Sequence, residues 1–287
     1  MKISELFKEK TVMAFEVFPP KPTNDMSVYF KALEGLRNLN PDFISVTYGA
    51  GGGANCAKTI EIASAVKNTY GIESVAHLPC INLRREEVSS ILDGFRDNGI
   101  ENILALRGDI NPDILTCGDF KHANELIEFI RESGDFNILA ACYPEGHLES
   151  KNVVEDIQNL KRKVDAGVSS LVTQLFLDNS YFYSFREKAA IAGINVPIEA
   201  GIMPVTNKVQ IERMVKMCGV NLPKKFVTMI EKYENSPIAL RDAGIAYAID
   251  QIVDLISDGV DGIHLYTMNK PYVAEKICMA VYTLLAA

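Results

Sequence analysis

Short apolar runs rich in β-branched residues recur along the chain, at 12–18, 43–48, 74–80, 102–108, 137–143, 170–176, 197–203 and 262–268. Most are nearly continuous rather than alternating, the pattern of strands buried on both faces of a parallel sheet. Longer amphipathic segments lie between them, among them 26–39, 57–70, 85–98, 152–166, 209–217 and 240–257. Gly71, Gly99, Gly167, Gly193 and Gly259 stand just before the next strand, where a helix ends in a left-handed residue. The first seven strands start about 30 residues apart, one strand-plus-crossover unit each. The interval before the eighth is about twice that, so this unit carries an extra helix, placed over 223–233. The apolar segment 273–285 supplies the helix after strand eight. The expectation is a single α/β domain over 1–287, a closed (β/α)8 TIM barrel with one extra helix before strand eight. Two doubly wound domains would need a boundary near residue 150, and no Pro/Gly/Ser linker marks one.

Composition narrows the function. The 287 residues are 48% hydrophobic, with 29 basic and 37 acidic side chains and a net charge of −8. Without a basic cluster, that balance argues against nucleic acid or an anionic membrane surface as main partner. No apolar stretch approaches the roughly 18 residues that cross a bilayer, and residues 1–12 lack a signal-peptide core. The six cysteines, Cys56, Cys80, Cys117, Cys142, Cys218 and Cys278, have no CxxC pair. They read as reduced thiols of a cytoplasmic protein.

In a barrel the active site lies at the carboxyl ends of the strands. Those ends carry Glu16, Thr47–Tyr48, His77, Arg107–Asp109, Tyr143–His147, Gln174, Met203–Thr206 and Tyr266–Lys270, a high polar content after apolar strands. Glu16 stands between Phe15 and Val17; apolar neighbours would disfavour its ionised form and suit a general acid. The alternative is a carboxylate paired with an arginine such as Arg107. Asp109 follows Gly108, which permits a tight turn and close approach of a flat ligand, or Asp109 caps the next segment or holds Arg107. A lone strand histidine such as His77 is more often packed than a ligand, and His77, His122, His147 and His264 show no metal-binding spacing. Tyr143 and His147 flank a proline turn and frame a ring or pyrophosphate, or form an ordinary exposed turn. Lys161, Arg162 and Lys163 offer charge to a phosphate or make a solvated helix face. Residues 49–54, GAGGGA, formally satisfy a dinucleotide-binding fingerprint. The acidic residue expected at the end of the next strand is missing, so the glycines read as a loop closing over ligands.

FEVFPPK, SVTYGAGG, AHLPC, LRGD, YPEGH, LKRKVDAG, TQLFLDN, GIMPVTN and LYTMNK, in this order from residue 12 to 270, resemble the flavin-dependent methylenetetrahydrofolate reductases. The chain is similar to a short bacterial form without a regulatory domain. The resemblance implies non-covalent FAD, with NADH or NADPH as co-substrate, folate as substrate, a role in one-carbon metabolism and methionine biosynthesis, and a homo-oligomer. It makes Glu16 the general acid that protonates folate N10, and Asp109 the carboxylate beside pterin and flavin. Thr47, His77, Leu106, Arg107, Gly108, Asp109, Ala141, Tyr143, His147, Asp156 and Lys163 match cofactor-binding positions. Gln174, Gln210, Tyr266 and Lys270, with Glu16, match substrate-binding positions. The protein supplies orientation and electrostatics while the flavin carries the redox chemistry.

Two positions depart from the pattern. Lys270 stands where well-known bacterial members have arginine, so a forked grip on the folate glutamate becomes a point charge. Met214 replaces a phenylalanine one helical turn after Gln210. These leave open whether electrons come from NAD(P)H or from a partner protein, with the barrel as one subunit of a larger redox complex. A barrel lyase would want a Schiff-base lysine on an inner strand, and none of the eight strands has one.

Overall fold

The apolar runs become eight strands, β1 (Val12–Val17), β2 (Phe43–Val46), β3 (Glu73–Pro79), β4 (Asn102–Leu106), β5 (Asn137–Cys142), β6 (Ser170–Thr173), β7 (Ile198–Ile202) and β8 (Gly262–Tyr266). They pair in parallel, each with the next, and β8 closes on β1 with Glu16 opposite Tyr266. The structure, a computed structural model, describes residues 1–20, 26–48, 53–109 and 118–285. Gly49–Gly52 of the glycine-rich loop, Lys21 of FEVFPPK and Cys117 lie outside the described residues. A closed barrel leaves no open sheet on which that loop could serve a doubly wound dinucleotide fold.

The strands end one to three residues earlier than the apolar runs. At their carboxyl ends the chain leaves the ladder to build the mouth, although Thr47 N–H still donates to the Val17 carbonyl at 3.0 Å. The helices α1 (Met26–Arg37), α2 (Gly53–Ser64), α3 (Arg85–Asp97), α4 (Ala123–Ser133), α5 (Val153–Asp165), α6 (Asn179–Ile191) and α7 (Lys208–Cys218) alternate with the strands. The expected extra helix is α8 (Lys224–Tyr233), followed by α9 (Pro237–Ser257), β8 and α10 (Pro271–Leu285). Gly71, Gly99, Gly167, Gly193 and Gly259 all have positive φ, between 69° and 119°, as helix ends of that kind require.

Three apolar clusters organise the molecule. Outward residues such as Phe15, Val17, Ile44 and Leu78 meet the helices. Inward residues Val12, Ala14, Phe43, Val75, Leu104, Leu139 and Val172 fill the lower barrel, which an N-terminal turn (Ile3–Lys8) plugs with Ile3. Asn102 anchors the plug, its side chain accepting from Ile3 N–H at 3.0 Å and donating to the Met1 carbonyl at 3.1 Å. Under α7 and α8 a further cluster, including Leu175, Met203, Phe226 and Leu240, forms an apolar wall on one side of the mouth. The inserted helix thus builds the site rather than decorating the surface.

Candidate active site at the carboxyl ends of the strands

Strand alternation decides what Glu16 meets. Met13, Phe15 and Val17 face the helices, so the apolar neighbours in sequence lie on the other side of the sheet. This corrects the expectation of an apolar environment for the carboxylate. Glu16 faces two imidazoles: its Oε2 lies 3.6 Å from His264 Nε2 and 3.7 Å from His77 Nε2. It is not held by Arg107, which forks onto Glu149 instead, at 2.7 Å through Nη2. The Glu16 side chain keeps 20% of its surface exposed, while that of His264 keeps 1%. The Glu16 carboxylate therefore opens to the mouth above a closed floor.

That floor holds residues that sequence reasoning missed. Glu199 points inward from β7 and is wholly buried, its Oε2 3.1 Å from His264 Nδ1. Gly262, opposite Glu199 in register, leaves room for it: a Cβ there would sit 3.1 Å from Glu199 Cγ. Burial works against a charged His264, but the Glu16 and Glu199 carboxylates outweigh it and hold the imidazole up at about 9. Burial also pushes Glu199 up, with His264 pulling the other way. His77 behaves oppositely. Burial brings it down to about 4 against the pull of Glu16, and its Nε2 sits 2.5 Å from Ser45 Oγ. The available signal was an acidic and a basic-capable residue at inward positions of two neighbouring, otherwise apolar strands.

Backbone ties fix Glu16 in place. Its carbonyl accepts from Thr267 Oγ1 at 2.7 Å. Asn269 clamps Phe18 on both sides, Oδ1 accepting from its N–H at 3.1 Å and Nδ2 donating to its carbonyl at 2.8 Å. Met268 and Asn269 hold φ of 51° and 52° in this turn, a sparsely populated conformation that such clamps over-determine. The same turn aims Lys270, whose Nζ donates to Thr206 Oγ1 at 2.8 Å beside a cavity of about 410 Å³ lined also by Arg241 and Tyr272. Burial lowers the Lys270 ammonium somewhat. Tyr266 lies across the barrel and donates to the Thr173 carbonyl at 2.7 Å. Burial raises its phenol well above the ordinary value. Gln174 turns its Oε1 onto Leu175 N–H at 2.9 Å. Gln210 sits in the first turn of α7, which Asn207 caps, with Nε2 3.8 Å from Met203 Sδ. Met214 is packed, partly buried, against the apolar wall.

The expected cofactor residues gather on the β4–β5 side, except His77, which belongs to the Glu16 floor, and Thr47, which ends β2. Asn152 caps α5 through Glu155 N–H and brings Asp156 into the first turn. Lys163 follows seven residues later, two turns on and on the same face. Ser150 Oγ donates to Asp156 Oδ1 at 2.9 Å, and Lys163 Nζ donates to the Ala141 carbonyl. An ammonium has three donors, and Lys163 spends one on that carbonyl. Burial lowers the pKa of its ammonium, with Cys142 and Asp156 opposing. Tyr143 and His147 meet edge to face at 4.6 Å, and Lys163 Nζ lies 5.9 Å from the Tyr143 ring centroid. Leu106, Arg107 and Gly108 shape the β4 exit. Gly108 has φ of 86°, and a Cβ there would approach Pro79 Cβ to 2.9 Å. The close approach expected at this glycine is made by β3. Asp109 is exposed, and its charge is felt at Arg107, Tyr143 and Cys218. Among the described residues no group of three His, Cys, Asp or Glu could hold a metal, and no helix is long and apolar enough to cross a membrane.

Residues 2–282 match the family model described as methylenetetrahydrofolate reductase. A 5,10-methylenetetrahydrofolate reductase of Pectobacterium carotovorum is 35% identical over 271 residues, 93% of this chain and 88% of that one. The Escherichia coli protein of the same name is 35% identical over 269 residues, with 93% and 89% covered. Arabidopsis thaliana "methylenetetrahydrofolate reductase (NADH) 1" is 35% identical over 275 residues, covering 91% of this chain and 46% of the plant protein. Among solved structures, an uncharacterised Clostridium thermocellum protein described as binding two copies of 5-methyl-5,6,7,8-tetrahydrofolic acid superposes with a TM-score of 0.62. It covers 98% of both chains at 12% identity, a likeness of fold alone.

Proposed function

Because the chain belongs to the methylenetetrahydrofolate reductase family, we propose that it reduces 5,10-methylenetetrahydrofolate to 5-methyltetrahydrofolate with FAD as bound cofactor. The observation that carries the reading is Glu16: an inward carboxylate at the end of β1, open to the mouth and backed by His264 and His77. As general acid, Glu16 would protonate folate N10 and open the imidazolidine ring to a 5-iminium cation. The cation then needs a hydride at the methylene carbon, and bound FAD in its reduced form would supply it. The remaining work falls to this chain's own groups.

Residues on the β4–β5 side fit FAD. Lys163 has donors left for a phosphate, Arg107 can trade exposed Glu149 for one, and Asp156 offers an acceptor to a ribose hydroxyl. The Tyr143–His147 pair offers an aromatic edge, and Thr47, Leu106, Gly108 and Ala141 would complete the contact. Asp109, exposed at the β4 exit, would face pterin and flavin and set a negative charge beside them, which would disfavour negative charge on the cofactor. Gln174, Gln210 and Tyr266 would orient the pterin against the apolar wall, and Lys270, at the rim, the glutamate. Holding donor and acceptor in contact is worth several orders of magnitude in rate.

The electron donor is a nicotinamide dinucleotide, NADH by the plant relative's name. Packed Met214 offers no aromatic face for the nicotinamide, and this observation favours the second reading, electrons relayed from a partner protein. The whole chain acts as one catalytic barrel domain. The test separates roles. Purified protein should carry a flavin absorption band, and NADH added without oxygen should bleach it. Glu16→Gln should keep the band and the bleaching but lose folate reduction by about 100-fold or more, the worth of a general acid. Normal folate turnover in that variant contradicts the assignment. A colourless protein that FAD neither binds nor stabilises contradicts the cofactor.

A further inference from the structure

Glu16 must be reprotonated once per turnover, and the geometry shows from which side. Only 20% of its side chain is exposed, toward the mouth. A flat substrate placed to receive its proton covers that face. Behind it stands His264, wholly buried, with Nδ1 on Glu199 and Nε2 aimed at Glu16. His264 Nε2 and Glu199 Oε1 are buried polar atoms without a hydrogen-bond partner. At 3.6 Å, Nε2 is just beyond hydrogen-bond reach of Glu16 Oε2, a gap that a small turn of the carboxylate closes.

We propose that His264, oriented by Glu199, is the proton store that reloads Glu16 from beneath the substrate. The proposal rests on the reading of Glu16 as the acid that protonates folate. His264 and Glu199 act through Glu16 and do not touch the substrate, so they are positioning residues. The step balances. Glu16 gives its carboxyl proton to N10 and becomes a carboxylate. The His264 Nε2–H bond then breaks as an O–H bond forms on Glu16 Oε2. A neutral imidazole remains with its proton on Nδ1, donated to Glu199. One proton from water, taken up when the mouth empties, restores the imidazolium. Each turnover consumes one solvent proton, as reduction by hydride requires.

Among the described residues, Glu16, Glu199 and His77, with the Tyr266 ring at 5.7 Å, surround His264. Moving the proton from Nε2 to Glu16 leaves the summed charge of Glu16, His264 and Glu199 unchanged, so the relay shuffles a proton without creating a new buried charge. The Glu16 and Glu199 carboxylates, against burial, keep His264 protonated to about 9. His77, on the far side of Glu16, is brought down to about 4 by burial and is bonded to Ser45, so it cannot serve as the store. Asp42 and Asp261, from the amino end of the barrel, add negative potential at Glu199. The Phe43 ring, 6.1 Å from the imidazole, closes the floor against water.

Two arms test this. In the intact protein labelled with ¹⁵N-histidine, four side chains report. One should be doubly protonated at pH 7.5, lose its proton near pH 9 and vanish in His264→Asn. In Glu199→Gln its titration should fall by about one pH unit or more. In the kinetic arm, His264→Asn should slow reoxidation of pre-reduced flavin by methylenetetrahydrofolate about tenfold or more. It should leave flavin reduction by NADH within about twofold, and the folate step should fail at lower pH than in wild type. A neutral His264 at pH 7.5 in wild type overturns the proposal even if the variants do not fold, and so does a wild-type pH profile in folded His264→Asn. If wild-type reduced flavin is not reoxidised by folate at all, the functional reading fails, and the NMR arm alone still decides whether the store exists.

Discussion

Gly201 of β7 is where fold and site depend on the same missing atom. It points inward, and Tyr266 crosses the space its side chain would fill. A Cβ at this position would stand 2.7 Å from Tyr266 Oη and 2.9 Å from Tyr266 Cε2, and closer still to the Thr173 carbonyl oxygen. Tyr266 could swing away, but Thr173 belongs to β6 and cannot, because Gly201 N–H already donates to its Oγ1 at 2.8 Å. Gly201→Ala therefore combines overpacking, about 1–3 kcal/mol, with loss of the Tyr266–Thr173 hydrogen bond, about 1 kcal/mol. The sum, roughly 2–4 kcal/mol, should lower Tm by about 4–8 °C in a chain of this size. Thermal unfolding followed by circular dichroism reads this directly. Adding Tyr266→Phe should recover only part of the loss, because the Thr173 contact remains. A Tm within about 1 °C of wild type, or full recovery in the double variant, would refute the reasoning about this contact.

Two further outcomes test other parts of the molecule. Lys163→Met keeps the stem and removes the ammonium; losing a charged hydrogen bond of about 1.5–3 kcal/mol should weaken FAD binding by about 10- to 150-fold in fluorescence titrations. At the opposite end of the barrel, Lys67 and then the Met1 ammonium bring the Glu101 carboxyl from its ordinary 4.5 down to about 2. Its contribution to stability is complete above 4.5 and is lost as pH falls through about 2. Denaturant unfolding should therefore find Glu101→Gln less stable than wild type at pH 7 and equal to it near pH 2.

Much of the architecture was legible because buried parallel strands and left-handed helix ends leave local marks. All eight strands, the helix over 223–233 and the five glycines with positive φ fall where the pattern places them. The mouth was legible as a set of strand ends. What faces what was not. Phe15 and Val17 flank Glu16 in sequence but face the helices, and its spatial neighbours His77 and His264 come from two other strands. Arg107 stands beside Asp109 in sequence, yet it pairs with Glu149, 42 residues away. Glu199 and its pairing with His264 escaped notice because that pairing exists only once β7 lies against β8. Backbone clamps such as Asn269 on Phe18 span 251 residues and leave no local pattern.

The central claim is that this barrel passes a hydride from reduced flavin to methylenetetrahydrofolate with Glu16 as the acid. The most direct test is a single turnover. Reduce the protein-bound flavin without oxygen, remove excess reductant, and mix it with 5,10-methylenetetrahydrofolate. The account predicts return of the oxidised flavin spectrum with one 5-methyltetrahydrofolate formed per flavin, and loss of both signals in Glu16→Gln. Flavin that stays reduced in the wild-type protein, or reoxidises without forming 5-methyltetrahydrofolate, would contradict it.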